Sequence, residues 1–469
     1  MPTHYIHTFG CQMNEHDSAR MAERLAALGY EGTDSPEDAD LILLNTCAIR
    51  EKAEDKLFSA LGRYRPLKAR GAVIGVAGCV AQQEKDALFD RAGYVDFVLG
   101  PDQVAQVGEV VARVKAGERR VLATDWLDSQ AYVFPSADPD AGVGSATAFV
   151  TAMKGCDNVC SFCVVPHTRG REQSRPYAEV IAEAIQLAKN GVRELTLIGQ
   201  NVNSYAGGCT FAELLRRVGA VDGLRRIRFT TSHPQDLSDD LIAAYAPAEQ
   251  GGEPKLMPHL HLPVQSGSDA VLERMRRRHT VAWYEERLAK LRAVRSDLAL
   301  TSDFICGFPG ETDDDFARTL GLVERVGYDN LFSFVYSARP HTSALRHEDE
   351  WGAVPQEARV ERLRRLQELQ MAVTQHLGDA LVGTEVVVLV EGPSKDLGHG
   401  PRRIGRTPQN RPVHFASTEG VGALVRVRVT RATVQSLQGE QLAVVEAPPN
   451  VPAAARRRLP VLAPAIVAG

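Results

Sequence analysis

A chain of 469 residues, 44% hydrophobic and 24% charged, is longer than one hydrophobic core supports and has the make-up of folded globular proteins, which excludes disordered and fibrous classes. Its formal net charge of −5 excludes a protein coated in basic surface, while leaving room for a local basic site. No apolar stretch reaches the roughly 18 residues of a membrane span, and the start Met1-Pro2-Thr3-His4 lacks the segments of a secretory signal, so no membrane role and a cytoplasmic location are expected.

Residues 1–125 alternate short apolar runs with amphipathic stretches. Tyr5 to Phe9, Asp40 to Asn45, Ala72 to Ala77 and Val95 to Leu99 read as strands with helical sequence between them, the pattern of a parallel α/β sheet. From Asp128 to Ala146 the chain turns to Ser, Ala, Asp, Gly and Pro without periodicity, and a linker is expected over 126–146. Six strand candidates follow at Ala148 to Met153, Glu194 to Ile198, Arg226 to Thr231, His259 to Pro263, Leu298 to Cys306 and Leu331 to Tyr336. Helical sequence separates them, which predicts an incomplete (βα)6 barrel over 147–380. Glu357 to Leu381 reads as one long helix leaving that barrel. Val386 to Val390, Val413 to Ala416, Ala423 to Val429 and Leu442 to Glu446 are short and valine-rich, predicting a small all-β barrel over 381–446. The Pro- and Ala-rich stretch 447–469, with Arg456 to Arg458, predicts a disordered tail.

Eight cysteines without a secretion signal point to metal ligands or buried thiols rather than to disulfides. Cys156, Cys160 and Cys163 follow the first barrel strand, at the strand end where barrel enzymes place their chemistry. A [4Fe–4S] cluster normally takes four thiolates, so three of them with no fourth nearby leave one iron open. The amino and carboxylate groups of S-adenosylmethionine can chelate that iron, and one electron then breaks a carbon–sulfur bond to give a deoxyadenosyl radical. A structural zinc knuckle closed by His167 is the competing reading. Cys209 and Cys306 read as buried or bystander thiols.

This C-x₃-C-x₂-C spacing, with Phe162 before the third cysteine, resembles the radical S-adenosylmethionine superfamily. The resemblance implies that strand-end residues ring the cofactor: Gln200 and Asn201, Ser232, Gln265, Asp303 and Gly307, together with Phe162. Polar and glycine residues there would offer hydrogen bonds and a close backbone approach.

Cys11, Cys47 and Cys79 are scattered in sequence, yet each follows a predicted strand, and in a parallel sheet those ends share one edge. Three thiols there suit a second [4Fe–4S] cluster with an open iron, or three small core residues. The segments around them are Thr8-Phe9-Gly10-Cys11-Gln12-Met13-Asn14, Asn45-Thr46-Cys47-Ala48-Ile49-Arg50-Glu51 and Gly78-Cys79-Val80-Ala81-Gln82. With Gly155-Cys156-Asp157-Asn158, Pro166-His167-Thr168-Arg169-Gly170-Arg171-Glu172, Ile198-Gly199-Gln200-Asn201 and Gly405-Arg406-Thr407, they resemble the MiaB-type methylthiotransferases of tRNA over about residues 3–445. The resemblance implies two [4Fe–4S] clusters and two molecules of S-adenosylmethionine, one as methyl donor and one as radical source. It further implies that the six cysteines are catalytic and that the partners are tRNA carrying N6-isopentenyladenosine, an electron donor such as flavodoxin or ferredoxin, and a sulfur source. A monomer is expected. Carbon 2 of that adenine has no acid–base handle, so attaching sulfur there calls for radical chemistry.

The C-terminal module resembles the TRAM domain, a small RNA-binding barrel. Seven Arg against Glu419 between Pro401 and Arg431 give a local charge of +6, and Arg402, Arg403, Arg406, Arg411, Arg426 and Arg428 are the expected RNA contacts. Arg274, Arg276, Arg277 and Arg278 offer another phosphate contact or a polar helix face. The chain departs from the family pattern at His167, where tyrosine is usual, and at His341, where glycine is common. The rivals are sister methylthiotransferases acting on threonylcarbamoyl-adenosine or on a ribosomal-protein aspartate, and a non-catalytic iron–sulfur RNA-binding protein.

Overall fold

The computed structural model describes residues 1–48, 51–127, 134, 138–395 and 400–450. The tail from residue 451 on, with Arg456 to Arg458, and the linker stretches 128–133 and 135–137 lie outside the described residues, as do Ile49 and Arg50.

The N-terminal sheet has six parallel strands: β1 (Thr3–Phe9), β2 (Glu31–Gly32), β3 (Leu41–Thr46), β4 (Val73–Gly78), β5 (Phe97–Leu99) and β6 (Val121–Ala123). Their order is β2-β1-β3-β4-β5-β6, so the winding direction reverses between β1 and β3. β3, Leu-Ile-Leu-Leu-Asn-Thr, is buried along its whole length, as a central parallel strand covered on both faces must be. One apolar cluster gathers Ile42, Leu44, Ile74 and Val76, the other Leu41, Leu43, Ala77 and Phe97, and alternation along each strand divides them between the two faces. Neither β2 nor β6 was expected from the sequence. They are two and three residues long, too short to show a period.

The central body begins with β7 (Thr147–Thr151), followed by a two-stranded pair, β8 (Met153–Lys154) and β9 (Gln173–Ser174), at the mouth. β10 (Glu194–Ile198) and β11 (Arg226–Phe229) complete one parallel sheet; β12 (His259–His261), β13 (Ala299–Cys306) and β14 (Asn330–Val335) form another. A single parallel bridge between Ile227 and Leu256 joins the halves, giving the expected incomplete barrel with its weakest seam at mid-wall. The long helix Gln356–Asp379 packs on β13 and β14, with Arg362 reaching the buried Glu311 at 2.8 Å. Among the described residues no helix is long and apolar enough to cross a membrane.

The C-terminal strands β15 (Glu385–Pro393), β16 (Arg402–Arg406), β17 (Pro412–Ala416), β18 (Leu424–Ala432) and β19 (Leu437–Glu446) close a small barrel. In β18 the alternation is direct: Val425, Val427 and Val429 are buried, while Arg426 and Arg428 face out. β16 escaped the sequence reading because Arg-Arg-Ile-Gly-Arg has no apolar period; pairing on both sides, with β15 and β17, makes it a strand.

Two buried charge networks seat the bodies on one another. Arg226 and Arg228, two apart on β11 and so on one face, donate to the carbonyls of Arg406 (2.8 Å), Val387 (3.0 Å), Pro408 (2.7 Å) and Thr407 (2.9 Å) in the small barrel. At the other junction Glu183 lies between Arg20, from the N-terminal helix Gln12–Ala27, and Arg175, 2.5 Å away. Glu183→Ala would remove the carboxylate shared by the two guanidiniums and leave Arg20 only Glu23 (2.9 Å) and Arg175 only Glu179 (3.3 Å) as acidic partners among the described residues, so we expect a loss near the lower end of roughly 3–5 kcal/mol by chemical denaturation. A loss below about 1 kcal/mol would mean that water already compensates these charges.

Candidate active site: two thiol trios at one junction

The N-terminal trio follows from register. Phe9 pairs with Thr46, and Thr46 with Gly78, so three adjacent strands end level. Cys47 and Cys79 come one residue later and Cys11 two, which places all three at the crevice where the strand order reverses. Gly10, at φ +129°, carries the chain past Cys47: a Cβ there would sit 2.3 Å from that of Cys47. Below the thiols, Asn45 donates to the Asn14 carbonyl (2.8 Å) and to Ser18 Oγ (2.9 Å), locking the helix onto β3.

Cys11 caps the N-terminus of the helix Gln12–Ala27. A hydrogen bond with Cys47 lowers its pKa to about 6 against the effect of burial, helped by Arg169 and the amides of Asn14 and Met13. Burial pushes Cys79 the other way. Arg169 comes from the central body and donates Nε–H to Cys79 Sγ at 3.3 Å, while Asp17 faces it at 2.7 Å. Burial works against the Arg169 charge, but Asp17 and the Cys79 and Cys11 thiols outweigh it.

The second trio lies on the loop after β8. Cys156 N–H donates to the Gly170 carbonyl (3.2 Å), and Gly155 N–H to Gln200 Oε1 (2.5 Å), so the loop ahead of β9 and the residue just past β10 hold its base. Its far side is pinned by Ser161, whose N–H donates to the Met275 carbonyl (3.0 Å) and whose hydroxyl donates to that of Arg274 (2.7 Å). Arg277 Nη1 approaches Cys160 Sγ at 3.5 Å and the Val165 amide approaches Cys163 Sγ at 3.4 Å. Burial raises the Cys156 thiol and pushes that of Cys163 up to about 12, so an electropositive ligand has to stabilise the thiolates. Among the described residues no group of three His, Cys, Asp or Glu side chains is arranged around a metal-ion position.

The expected cofactor ring divides by employment. Asn201 Oδ1 and Ser232 Oγ, past the ends of β10 and β11, are buried without a hydrogen-bond partner among the described residues, as are Arg277 Nε, His233 Nε2 and His279 Nε2 nearby. Buried polar atoms left open at a barrel mouth fit a polar ligand such as S-adenosylmethionine. Phe162 lies edge-on to Phe308, 6.4 Å between centroids. Gln265 holds φ +80° and its backbone is bonded to Asp303 and Ile305, while the Asp303 carboxylate faces His261 Nε2 at 3.5 Å. Gly307 is packed differently: its amide donates to Glu311 (2.7 Å) and Arg359 Cγ fills the place a Cβ would take, 2.3 Å away.

The arginines divide as well. Arg411 is turned inward to Asp329 (2.5 Å), Arg403 donates to the Glu419 carbonyl (2.6 Å), and Arg406 pairs with Glu391 (3.3 Å). Arg402 is half-buried, whereas Arg426 and Arg428 are exposed and share Glu385 as their acidic partner among the described residues. Arg277 is buried against the cysteine loop and donates to the Pro263 carbonyl (2.5 Å), which corrects its reading as a phosphate contact or polar helix face; Arg276 and Arg278 are exposed. The two departures from the family pattern meet. His167 and His341 rings lie 5.6 Å apart, and His341 holds φ +65°, the conformation for which glycine is the usual residue. Sequence reasoning gave no role to Arg169 or Asp17, because their partners are far away in the chain.

Comparison with known proteins agrees with this architecture. Residues 3–100 match the uncharacterized protein family UPF0004, residues 150–323 the radical SAM superfamily and residues 379–442 the TRAM domain. The structure of TsrM, a radical S-adenosylmethionine methyltransferase from Kitasatospora setae with cobalamin and a [4Fe–4S] cluster bound, is similar in fold. Its TM-score is 0.54 at 15% identity, covering 86% of this chain and 82% of that one. Fold and site thus define the class, a radical S-adenosylmethionine enzyme whose domain family implies a [4Fe–4S] cluster and S-adenosylmethionine. The tRNA-2-methylthio-N(6)-dimethylallyladenosine synthase of Myxococcus xanthus (strain DK1622) is 56% identical over 452 residues, 96% of each chain. That of Anaeromyxobacter sp. (strain Fw109-5) is 60% identical over 442 residues, 93% of this chain and 94% of its own. The chain belongs to this family, the MiaB-type methylthiotransferases.

Proposed function

We propose that the protein attaches a methylthio group to carbon 2 of N6-isopentenyladenosine beside the anticodon of tRNA. Cys156, Cys160 and Cys163 would hold the cluster that binds S-adenosylmethionine, and Cys11, Cys47 and Cys79 a second [4Fe–4S] cluster that carries the sulfur. When bound, the first cluster and S-adenosylmethionine supply the deoxyadenosyl radical; a second S-adenosylmethionine supplies the methyl group. The protein's own part is to hold and screen. The open polar atoms of Asn201 and Ser232 orient the cofactor, with Gln200 fixing the loop beneath it. Phe162, Gln265, Asp303 and Gly307 complete that wall. Exposed Arg426 and Arg428, with Arg402, contact RNA phosphates, since their pairing with a half-exposed Glu385 is weak enough to exchange.

The observation that supports this reading is a contact between the two cysteine-bearing domains: Arg169, six residues beyond Cys163, touches Cys79. The division of labour follows, with 1–125 as sulfur-carrying domain, 147–380 as radical domain and 381–446 as RNA-binding module. A reduced flavodoxin or ferredoxin as electron donor, an external sulfur source, a cytoplasmic location and a monomeric chain complete the proposal. With reductant and S-adenosylmethionine, the anaerobically reconstituted protein should form 5′-deoxyadenosine, and Cys156→Ala should abolish it. Mass spectrometry of tRNA nucleosides from cells lacking the protein should find the isopentenyl nucleoside without its methylthio group. Loss of a methylthiolated threonylcarbamoyl-adenosine instead would assign the sister substrate.

A further inference from the structure

We propose that Arg169 is a positioning residue for the N-terminal thiol trio: its guanidinium, brought across from the radical domain, holds sulfur at that site as an anion through N–H···S hydrogen bonds. The inference rests on the reading that this trio carries a cluster. Arg169 is 5% exposed, and Nε–H is directed at Cys79 Sγ, 3.3 Å away. Nη1 faces Asp17 at 2.7 Å, as an ion pair off hydrogen-bond alignment. Nη2 is buried with no partner among the described residues, and Arg169 helps line a small cavity with Met13, His16, Asp17, Asp102 and Lys154.

A tie between two domains would need only the Asp17 ion pair. It accounts neither for an Nε–H spent on a thiol nor for a buried donor left open, which costs about 1–3 kcal/mol unless an acceptor arrives. An anionic sulfur ligand beside Cys79 is such an acceptor. Arg169 is also fixed from its own side: Arg169 N–H donates to the Val165 carbonyl (2.7 Å), and the next carbonyl, Gly170, accepts from Cys156 (3.2 Å). Any shift of the radical loop therefore moves the guanidinium. Hydrogen bonds to cluster sulfurs stabilise the reduced, more negative state and raise its potential.

The test uses the full chain carrying Cys156→Ala, Cys160→Ala and Cys163→Ala, reconstituted anaerobically so that only the N-terminal trio can bind iron. Redox titration followed by electron paramagnetic resonance, and titration with methanethiolate, are compared with and without Arg169→Met and Arg169→Lys. Arg169→Met should keep its iron, move the midpoint potential negative and weaken methanethiolate binding about tenfold. Arg169→Lys, which keeps the charge, should recover part of both. Iron retained with unchanged potential and affinity overturns the proposal. Should Arg169→Met not hold iron, Asp17→Asn decides: with its counter-charge removed, the remaining guanidinium should move the potential positive, and an unchanged potential overturns the proposal. A background chain that binds no iron overturns the two-cluster reading and this proposal with it.

Discussion

Replacing Cys11, Cys47 and Cys79 together by alanine is expected to halve the iron of the reconstituted protein, abolish methylthio product, and leave 5′-deoxyadenosine formation in place. The separation follows from the geometry. The radical loop is held by Gln200, Met275, Arg274 and Gly170, none of which belongs to the N-terminal sheet. Removing three thiols from the ends of β1, β3 and β4 therefore leaves that scaffold intact. The sheet itself should survive, because Asn14 and Asn45 keep their mutual bonds and Cys47 and Cys79 become a smaller residue that fits their space. Iron analysis, product assay and deoxyadenosine assay on one preparation decide the matter. Unchanged iron would remove the trio from the mechanism, and loss of deoxyadenosine would show that the two sites are one cooperative unit.

The meeting of these thiols was legible because parallel strands have a direction. Once Tyr5 to Phe9, Asp40 to Asn45 and Ala72 to Ala77 read as strands, cysteines just beyond each had to share an edge. Strand β10 was legible for a similar reason: Glu194–Ile198 is a short apolar run behind a Gly191 turn. Arg411 shows where such reading stops. Composition counted it among RNA-facing arginines, but its partner Asp329 lies 82 residues away, just before β14, and no local pattern records that pairing. Arg169 is the same case at the centre of the site, a residue quoted in a motif whose work depends on helix and strand ends more than 80 residues earlier. His167 and His341 read as two separate departures, and only the fold turns them into one pair.

Three histidines held neutral are expected to contribute a loss of about 4 kcal/mol to the central body's stability between pH 7.5 and 5.5. Glu172 and Glu311, whose carboxyls burial raises, offset it in part. His233 is buried, and His259 and His279 are half-buried. Burial lowers His233 to about 2, with Arg277, His279 and Arg278 adding to the shift, and lowers His279 to about 4, with Arg277 adding. Burial also carries His259 well below 6.5, with Arg228, His261 and Arg406 in the same direction. These folded values lie below the unfolded one, so the unfolded chain takes up protons first. The stabilisation is complete above the unfolded value of 6.5 and is lost as pH falls toward the folded values. One unit below 6.5 each histidine has forfeited about 1.4 kcal/mol, and three together approach the lower end of a whole domain's stability of roughly 5–15 kcal/mol. His233 also shows why the proton is resisted locally: the Gln235 amide donates to Nδ1 at 3.2 Å, so protonating that nitrogen would break a bond as well as bury a charge. Trp283, whose ring lies 6.1 Å from that of His279, gives a fluorescence signal from this body. Urea unfolding of the iron-free chain followed by that signal should show the loss, and His259→Gln should reduce its pH dependence by about a third. A pH-independent midpoint would mean that these histidines are reached by water and that the barrel mouth is open even without its cofactor.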